Sequence, residues 1–353
     1  MAPPPFPLLL FNHDKGLSRC LGVFGAPARR YSHVALSTAV EAAARLVHEL
    51  GGVVRTRRQV LDANQVHKLA LTLNRRCIGN TPVGQDGPRA GTPIPLGWHL
   101  VYFTPNDYES QLGPDGADSV FSPAKPFTRR MWAGGSMTWP ARDALRVGDE
   151  VEEHSRLVNA VAKPSKSAGA MVLVEVEKEL RGPRATALVD RRSWVFFPEA
   201  HVHTARPLGP TTAMLGPTTI DDLPDSQGFA ARQFCWSAVG LFRFSALTFN
   251  GHKIHYNQDW TRGVEDHGTL VVHGPLNLIN ILNYWHDIHG GQDAAQQHAL
   301  TIGYRAVAPL YAGQRYTIQT RQAIETATAS TWTIMACRDD GTVCMRAEIS
   351  VPK

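Results

Sequence analysis

The residues best suited to chemistry lie between Leu241 and Pro275. The stretch from Leu241 through Asn250-Gly-His-Lys-Ile-His255 to Tyr256 places His255 at the end of a polar loop. Gly268-Thr-Leu-Val-Val-His-Gly-Pro275 follows, with Gly274 opening an apolar run. A histidine, with an ordinary pKa near 6.5, suits proton transfer at neutral pH. A glycine N–H at a helix start is a fixed, dipole-assisted donor for a developing oxyanion, and a missing Cβ lets a carbonyl approach closely. Base and donor together match the addition or removal of water next to a thioester carbonyl. Asn250 can orient a water or hydroxyl but cannot take its proton. His252 and His273 read as supports, His252 capping the loop and His273 packed before Gly274.

Other chemistries lack their signals. His252, His255, His267 and His273 contain no helical i, i+4 pair and no cysteine joins them, so no metal is expected. There is no Gly-rich phosphate loop, nicotinamide fingerprint or Gly-x-Ser-x-Gly elbow, and no cofactor is expected.

These residues need elements to hold them. Apolar residues at helical spacing predict helices over Thr38–Leu50 and Asp62–Leu73. Residues 104–128, with four prolines, read as a long loop. Strands are expected over Gly169–Glu177, Trp194–Phe197, Arg315–Thr320, Ser330–Met335 and Thr342–Val351, with Asp339-Asp-Gly341 as a hairpin turn. Trp132-Ala-Gly-Gly135, then a short helix, Leu145-Arg-Val-Gly-Asp149 and strands, parallels Val272-His-Gly-Pro275, an apolar helix over Leu276–Trp285, Leu310-Tyr-Ala-Gly-Gln314 and strands. This is a repeat of layout, not of fixed period. Pro275 is expected at the first helical position. The organisation is a leader at 1–35, a first domain at 36–197, a Pro-rich linker at 198–228 and a second domain at 229–353.

At 353 residues and 43% apolar composition the chain can bury two cores, and with 19% charged residues it is not a disordered one. No run is long and apolar enough for a membrane span. Cys20, Cys77, Cys235, Cys337 and Cys344 form no metal or disulfide framework and read as reduced, mostly core residues. Of the net charge of +5, residues 1–35 hold +3, with Lys15, Arg19, Arg29 and Arg30 against Asp14. That asymmetry argues against nucleic acid as a partner. Basic, nearly acid-free and ending in Arg29-Arg-Tyr-Ser32, the segment reads as a mitochondrial transit peptide, placing the protein in the matrix.

Phe242–Tyr256 with Leu270–Leu276 resembles the C-terminal half of the MaoC-like double hot-dog hydratases and dehydratases. Arg129-Arg-Met-Trp-Ala-Gly-Gly135 with Leu145–Asp149 resembles their N-terminal half. Within this group the likeness is to fungal mitochondrial hydroxyacyl-thioester dehydratases of type 2 and bacterial mesaconyl-C4-CoA hydratases. The resemblance implies an α+β fold of two antiparallel sheets, each wrapped around a central helix. It implies a hydro-lyase that interconverts 3-hydroxyacyl and 2-enoyl thioesters of CoA or acyl carrier protein, in mitochondrial type II fatty-acid synthesis, with a homodimer as one expected assembly. His255 falls on the family's catalytic histidine and Asn250 on its catalytic Asp, a departure from the wider pattern. Catalysis is assigned to His255, Asn250 and Gly274, and substrate contacts to His273, Thr248, Arg129, Arg130 and Trp132. A long-chain substrate predicts an apolar tunnel. A short dicarboxylyl-CoA predicts a buried Arg or Lys near His255, for which Lys253 or Arg243 could serve. A thioesterase needs a carboxylate at the thioester, which Asn250 argues against. A non-catalytic acyl-thioester binder is the reading from another class.

Overall fold

The computed structural model describes residues 33–79, 81–140, 144–165, 169–199, 216–224, 229–290 and 299–353. The leader expectation for residues 1–32 lies outside these. Helix α1 (His33–Leu50) begins ahead of the expected boundary at residue 35.

The first half runs β1 (Val54–Val60), α2 (Ala63–Thr72), a two-strand ribbon of β2 (Cys77–Ile78) and β3 (Thr81–Pro82), then β4 (Arg129–Trp139), β5 (Glu150–Ser165), β6 (Gly169–Arg181) and β7 (Thr186–Phe197). The second runs β8 (Thr219–Leu223), β9 (Ala231–Cys235), α3 (Ala238–Leu247), α4 (Gln258–Gly263), α5 (Gly274–His289), β10 (Leu300–Ala306), β11 (Arg315–Glu325), β12 (Ala329–Arg338) and β13 (Val343–Pro352). All pairs are antiparallel, in the order β1-β5-β6-β7-β4-β10-β13-β12-β11-β9-β8. The two hot-dog sheets are thus joined edge to edge by β4 and β10, from Leu300 opposite Trp139 to Arg305 opposite Gly134. Joining removes two open edges that would otherwise invite pairing with other chains. This is an α+β double hot-dog in a single chain.

Reading outward from the seam, the halves repeat each other: β4, β7, β6, β5, β1 against β10, β13, β12, β11, β9. The repeat is exact at the start of each half. Asp62 caps α2 by accepting from Gln65 N–H, and Ser237 caps α3 by accepting from Gly240 N–H. Asn74 and Phe249 then both take a left-handed turn, at φ 53° and 46°, and Arg75 N–H and Asn250 N–H each reach back to a helix carbonyl. Arg75 is therefore the structural counterpart of Asn250. Further on, Ile94 N–H donates to Leu145 O as Val272 N–H donates to Leu310 O.

That register corrects the sequence alignment of the halves. Trp132-Ala-Gly-Gly135 lies inside β4, the counterpart of β10, and among the described residues no helix follows it before Leu145. The counterpart of Val272-His-Gly-Pro275 is Ile94-Pro-Leu-Gly97, followed by only one 3-10 turn, Trp98–Val101. The first sheet is covered instead by α1, whose Ala39, Ala42, Ala43 and Leu46 pack on Leu157, Val172 and Val174. A layout pattern cannot reveal an element shrunk to one turn, and the next Gly-rich stretch resembles it more closely. The Pro-rich linker also needs correction, since β8 within it pairs with β9 from Thr219–Cys235 to Leu223–Ala231.

In the second half α5 is buried along its length, from Leu276 through Leu282 to Trp285. The other expected helices and strands fall where the periodicity puts them. The hairpin turn at Asp339-Asp-Gly341 joins β12 to β13 with Gly341 at φ 82°. Of the cysteines, Cys337 and Cys344 are buried, Cys235 is intermediate and Cys77 is exposed, which corrects the core reading for that one; Cys20 lies outside the described residues.

Candidate active site

A cavity of about 790 Å³ lies between the halves. The second half supplies Thr248, Asn250, His252, His255, His273 and Gly274 to its wall. The first half supplies the inner face of β4 to β7 and part of the long loop.

His255 ends a 3-10 turn (Lys253–His255) behind α3 and is almost wholly buried. Its Nδ1 lies 2.7 Å from Val271 O. A carbonyl only accepts, so Nδ1 carries the proton and Nε2 keeps its lone pair as a base. Burial, with His252 alongside, pushes its pKa down to about 3, although the bond to Val271 works the other way. His255 is thus neutral throughout the physiological range. Its ring stacks on His273, with centroids 3.6 Å apart and planes at 17°, and meets His252 edge-on at 5.4 Å. His273 is held by Ser245 Oγ at 2.8 Å from Nε2 and is kept neutral by burial beside His255.

Gly274 is the first residue of α5, with Pro275 second, one place later than expected. First-turn N–H groups have no intrahelical acceptor, and no described hydrogen bond uses the Gly274 N–H. Both it and His255 border the cavity. The reason for glycine differs from the sequence argument, however. A Cβ here would lie 3.1 Å from Trp132 Cγ and 3.2 Å from its Cβ, so it would meet that ring. Trp132 is itself fixed between Tyr304 and Trp194. Gly274→Val is therefore expected to cost about 1–3 kcal/mol of stability by overpacking, read as a lowered urea midpoint. Trp132→Leu in the same chain should recover most of it. No recovery would show that Trp132 is not what excludes the side chain.

Asn250 Oδ1 accepts from His252 N–H at 3.0 Å, so one end of its amide shapes the loop. Its Nδ2 remains the end able to serve a water or hydroxyl. Thr248 closes α3, and its hydroxyl donates to Phe244 O at 2.7 Å, so it borders the cavity with its proton already used. Arg129 pairs with Glu265 at 2.7 Å and Arg130 with Asp118 at 2.8 Å, both from β4. Arg130 also lies over the Trp194 ring. These arginines border the cavity as expected of substrate contacts, but with their charges already neutralised. Lys253 reaches Pro114 O and Trp260, and Arg243 is exposed on α3, so neither is the buried cation considered for a dicarboxylate.

The sequence reading missed another set of cations. On β5, β6 and β7 the inward, apolar stripe is broken at one level by Glu153, Lys178, Asp190 and Arg192. Glu153 binds Lys178 at 2.9 Å and Arg57 at 2.8 Å, and Arg192 binds Asp190 at 2.6 Å. Three cations against two carboxylates leave one positive charge in excess beside the cavity. The signal was a charged residue in phase with buried ones, as in Val172, Val174, Val176, Lys178 and Leu180. Among the described residues no cluster of three His, Cys, Asp or Glu could hold a metal ion.

Comparison with known proteins agrees with this geometry. Residues 97–312 match the model of the family described as hydroxyacyl-thioester dehydratase type 2. Mesaconyl-C(4)-CoA hydratase of Chloroflexus aurantiacus is 30% identical over 230 residues, 64% of this chain and 73% of that one. The mitochondrial hydroxyacyl-thioester dehydratase type 2 of Schizosaccharomyces pombe is 26% identical over 276 residues, 72% of this chain and 85% of that one. A MaoC-like dehydratase structure superposes with a TM-score of 0.59 at 13% identity, over 87% of this chain and 99% of that chain, which speaks to the fold alone. The family match spans both halves and the whole His255–Gly274 constellation, and on it the chain belongs to the hydroxyacyl-thioester dehydratase type 2 family and is a hydro-lyase.

Proposed function

We propose that this protein reversibly dehydrates a 3-hydroxyacyl thioester to the 2-enoyl thioester, in mitochondrial type II fatty-acid synthesis. The observation that carries the chemistry is the shared cavity: the unprotonated Nε2 of His255 and the unused N–H of Gly274 border one space. His255 takes the α-proton. The thioester oxygen gains charge and meets the Gly274 N–H at the positive end of α5. The β-hydroxyl leaves beside Asn250, as water once it has taken the proton back from His255. The first half shapes the acyl site, for which Val120, Phe121, Trp132, Trp194 and Phe197 give an apolar wall. The basic leader and the likeness to a mitochondrial fission-yeast protein support the matrix as its place.

A second reading has a specific observation in its favour. The excess positive charge where Arg57 and Lys178 share Glu153 suits the free carboxylate of a short dicarboxylyl-CoA such as mesaconyl- or itaconyl-CoA. A steady-state screen of C4–C16 3-hydroxyacyl-CoAs beside itaconyl- and mesaconyl-CoA separates the two. The first reading expects kcat/KM to be highest among the alkyl substrates. A tenfold preference for a dicarboxylyl-CoA selects the second. No turnover of any thioester would defeat both and leave an acyl-thioester binder.

A further inference from the structure

The catalytic loop has Asn250 where a carboxylate would stand, yet a buried carboxylate reaches the same loop from the other half of the molecule. Residues 113–117 of the long loop dock directly on residues 251–253. Lys253 N–H donates to Asp115 O at 2.8 Å, and Lys253 Nζ reaches Pro114 O at 2.7 Å. Gly116 and Gly251 pass so closely that a Cβ on Gly116 would run into Gly251 O. Asp115 is 4% exposed. One carboxylate oxygen, Oδ1, accepts from Ala117 N–H at 3.0 Å. The other, Oδ2, has no hydrogen-bond partner among the described residues and lies 3.4 Å from His252 Nε2. His252 is itself buried, borders the cavity and meets His255 edge-on. At 3.4 Å the contact is longer than a full hydrogen bond, as catalytic contacts often are before substrate tightens them.

We propose that Asp115 supplies, through His252, the carboxylate that the loop lacks at Asn250. Asp115 is a positioning residue: it holds the Nε2–H of His252, which leaves Nδ1 of that ring as the acceptor for the hydrogen of the substrate β-hydroxyl or water. In dehydration the Cα–H bond breaks and its proton passes to Nε2 of His255. The electron pair moves into the thioester and returns to form C2=C3 as the C3–O bond breaks. The departing oxygen takes the proton back from His255 and leaves as water. His252 keeps its proton count throughout, so its part is to aim the C3 oxygen between itself and His255.

Two other features agree. Burial draws the pKa of Asp115 up from the usual carboxylate range, with Arg130 and the Ala117 N–H opposing, while burial and Arg130 push His252 down to about 3. The groups facing the pair are Arg130, Asp118, His255, His267 and His273. The pair therefore works as neutral imidazole on carboxylate, and protonation of Asp115 at low pH disables it.

This inference rests on the hydro-lyase reading, so its test has one arm that needs no turnover. The ring-nitrogen ¹⁵N shifts of His252 in the full-length protein should show Nε2 protonated and Nδ1 bare, and Asp115→Asn should redistribute that tautomer. A His252 with Nδ1 protonated in the native protein overturns the proposal whether or not any thioester is consumed. In the kinetic arm, Asp115→Asn is expected to lower kcat about 10–100-fold with KM within threefold, and to remove the acidic limb of the kcat profile. Asn250→Asp added to that variant should restore at least tenfold. Loss without rescue, or kcat within threefold of the native protein, counts against Asp115. Should Asp115→Asn not fold, His252→Asn carries the same test from the other side: it must lower kcat and remove the same limb, and a profile still bearing it refutes the pair.

Discussion

Replacing His255 with alanine is expected to lower kcat by about 10²–10⁴, the range that a general base contributes, while the fold survives. The substitution empties a site beside His273 and Val271 but leaves α5 and both sheets untouched, because His255 sits on a 3-10 turn at the cavity wall. Added imidazole should return part of the activity, since the cavity has room for it and the backbone acceptor stays in place. The pH dependence carries a second signature. With its pKa pushed down to about 3 by burial, His255 is already a base at pH 5, so kcat/KM should show no limb near 6.5 from this residue. A folded His255→Ala protein within fivefold of native activity would remove His255 from the mechanism.

Acid should cost this protein several kcal/mol of stability well before its paired carboxylates titrate. His252 and His255 are each held near a pKa of about 3, and His273 well below its ordinary value, all three chiefly by burial. In the unfolded chain each returns to about 6.5. Between those values the unfolded state binds more protons than the folded one, so stability rises with pH. For His252 and His255 the contribution is full above about 6.5 and falls by about 1.4 kcal/mol per unit for each as the pH drops towards 3. From pH 7.5 to 5.0 this gives about 2 kcal/mol each for His252 and His255, about 4 kcal/mol together, with His273 acting in the same direction, against a total of about 5–15 kcal/mol for a typical domain. The paired carboxylates Glu153 and Asp190, whose pKa values are lowered, add their loss only below about 4.5. Urea unfolding at the two pH values measures the difference, and His273→Asn should reduce it. Equal midpoints at pH 7.5 and 5.0 would mean that the cluster is not buried neutral in solution.

The chemistry is grouped this way because the two halves have divided one symmetric plan. Arg75, the counterpart of Asn250, forms ion pairs with Asp287 at 2.8 Å instead of facing a substrate. Arg232 meets the same Asp287 at 2.7 Å, and these residues border a smaller cavity of about 240 Å³. The first half keeps the strands and gives their inner face to the cavity of the second.

By itself the sequence determined β6, β7, β11, β12 and β13, the helix α2, the apolar α5, and the stretch that carries Asn250, His255 and Gly274. Each of these is written in short-range terms: period 2, period 3.6, or a motif within about thirty positions. The tertiary structure alone decided what those residues face. What a Cβ on Gly274 would meet is Trp132, on a strand more than a hundred residues away, so no local rule could assign it. Asp115 reads in the sequence as a turn residue between Pro114 and Gly116, and only the docking of that turn on Gly251 brings it to His252. The β4–β10 seam, the one-turn remnant at Trp98–Val101 and the charged level at Glu153, Lys178 and Arg192 belong to the same class. They arise from pairing across long stretches of chain, where the partner's identity, not the residue's own neighbourhood, fixes whether a charge is solvated, paired or turned towards a substrate.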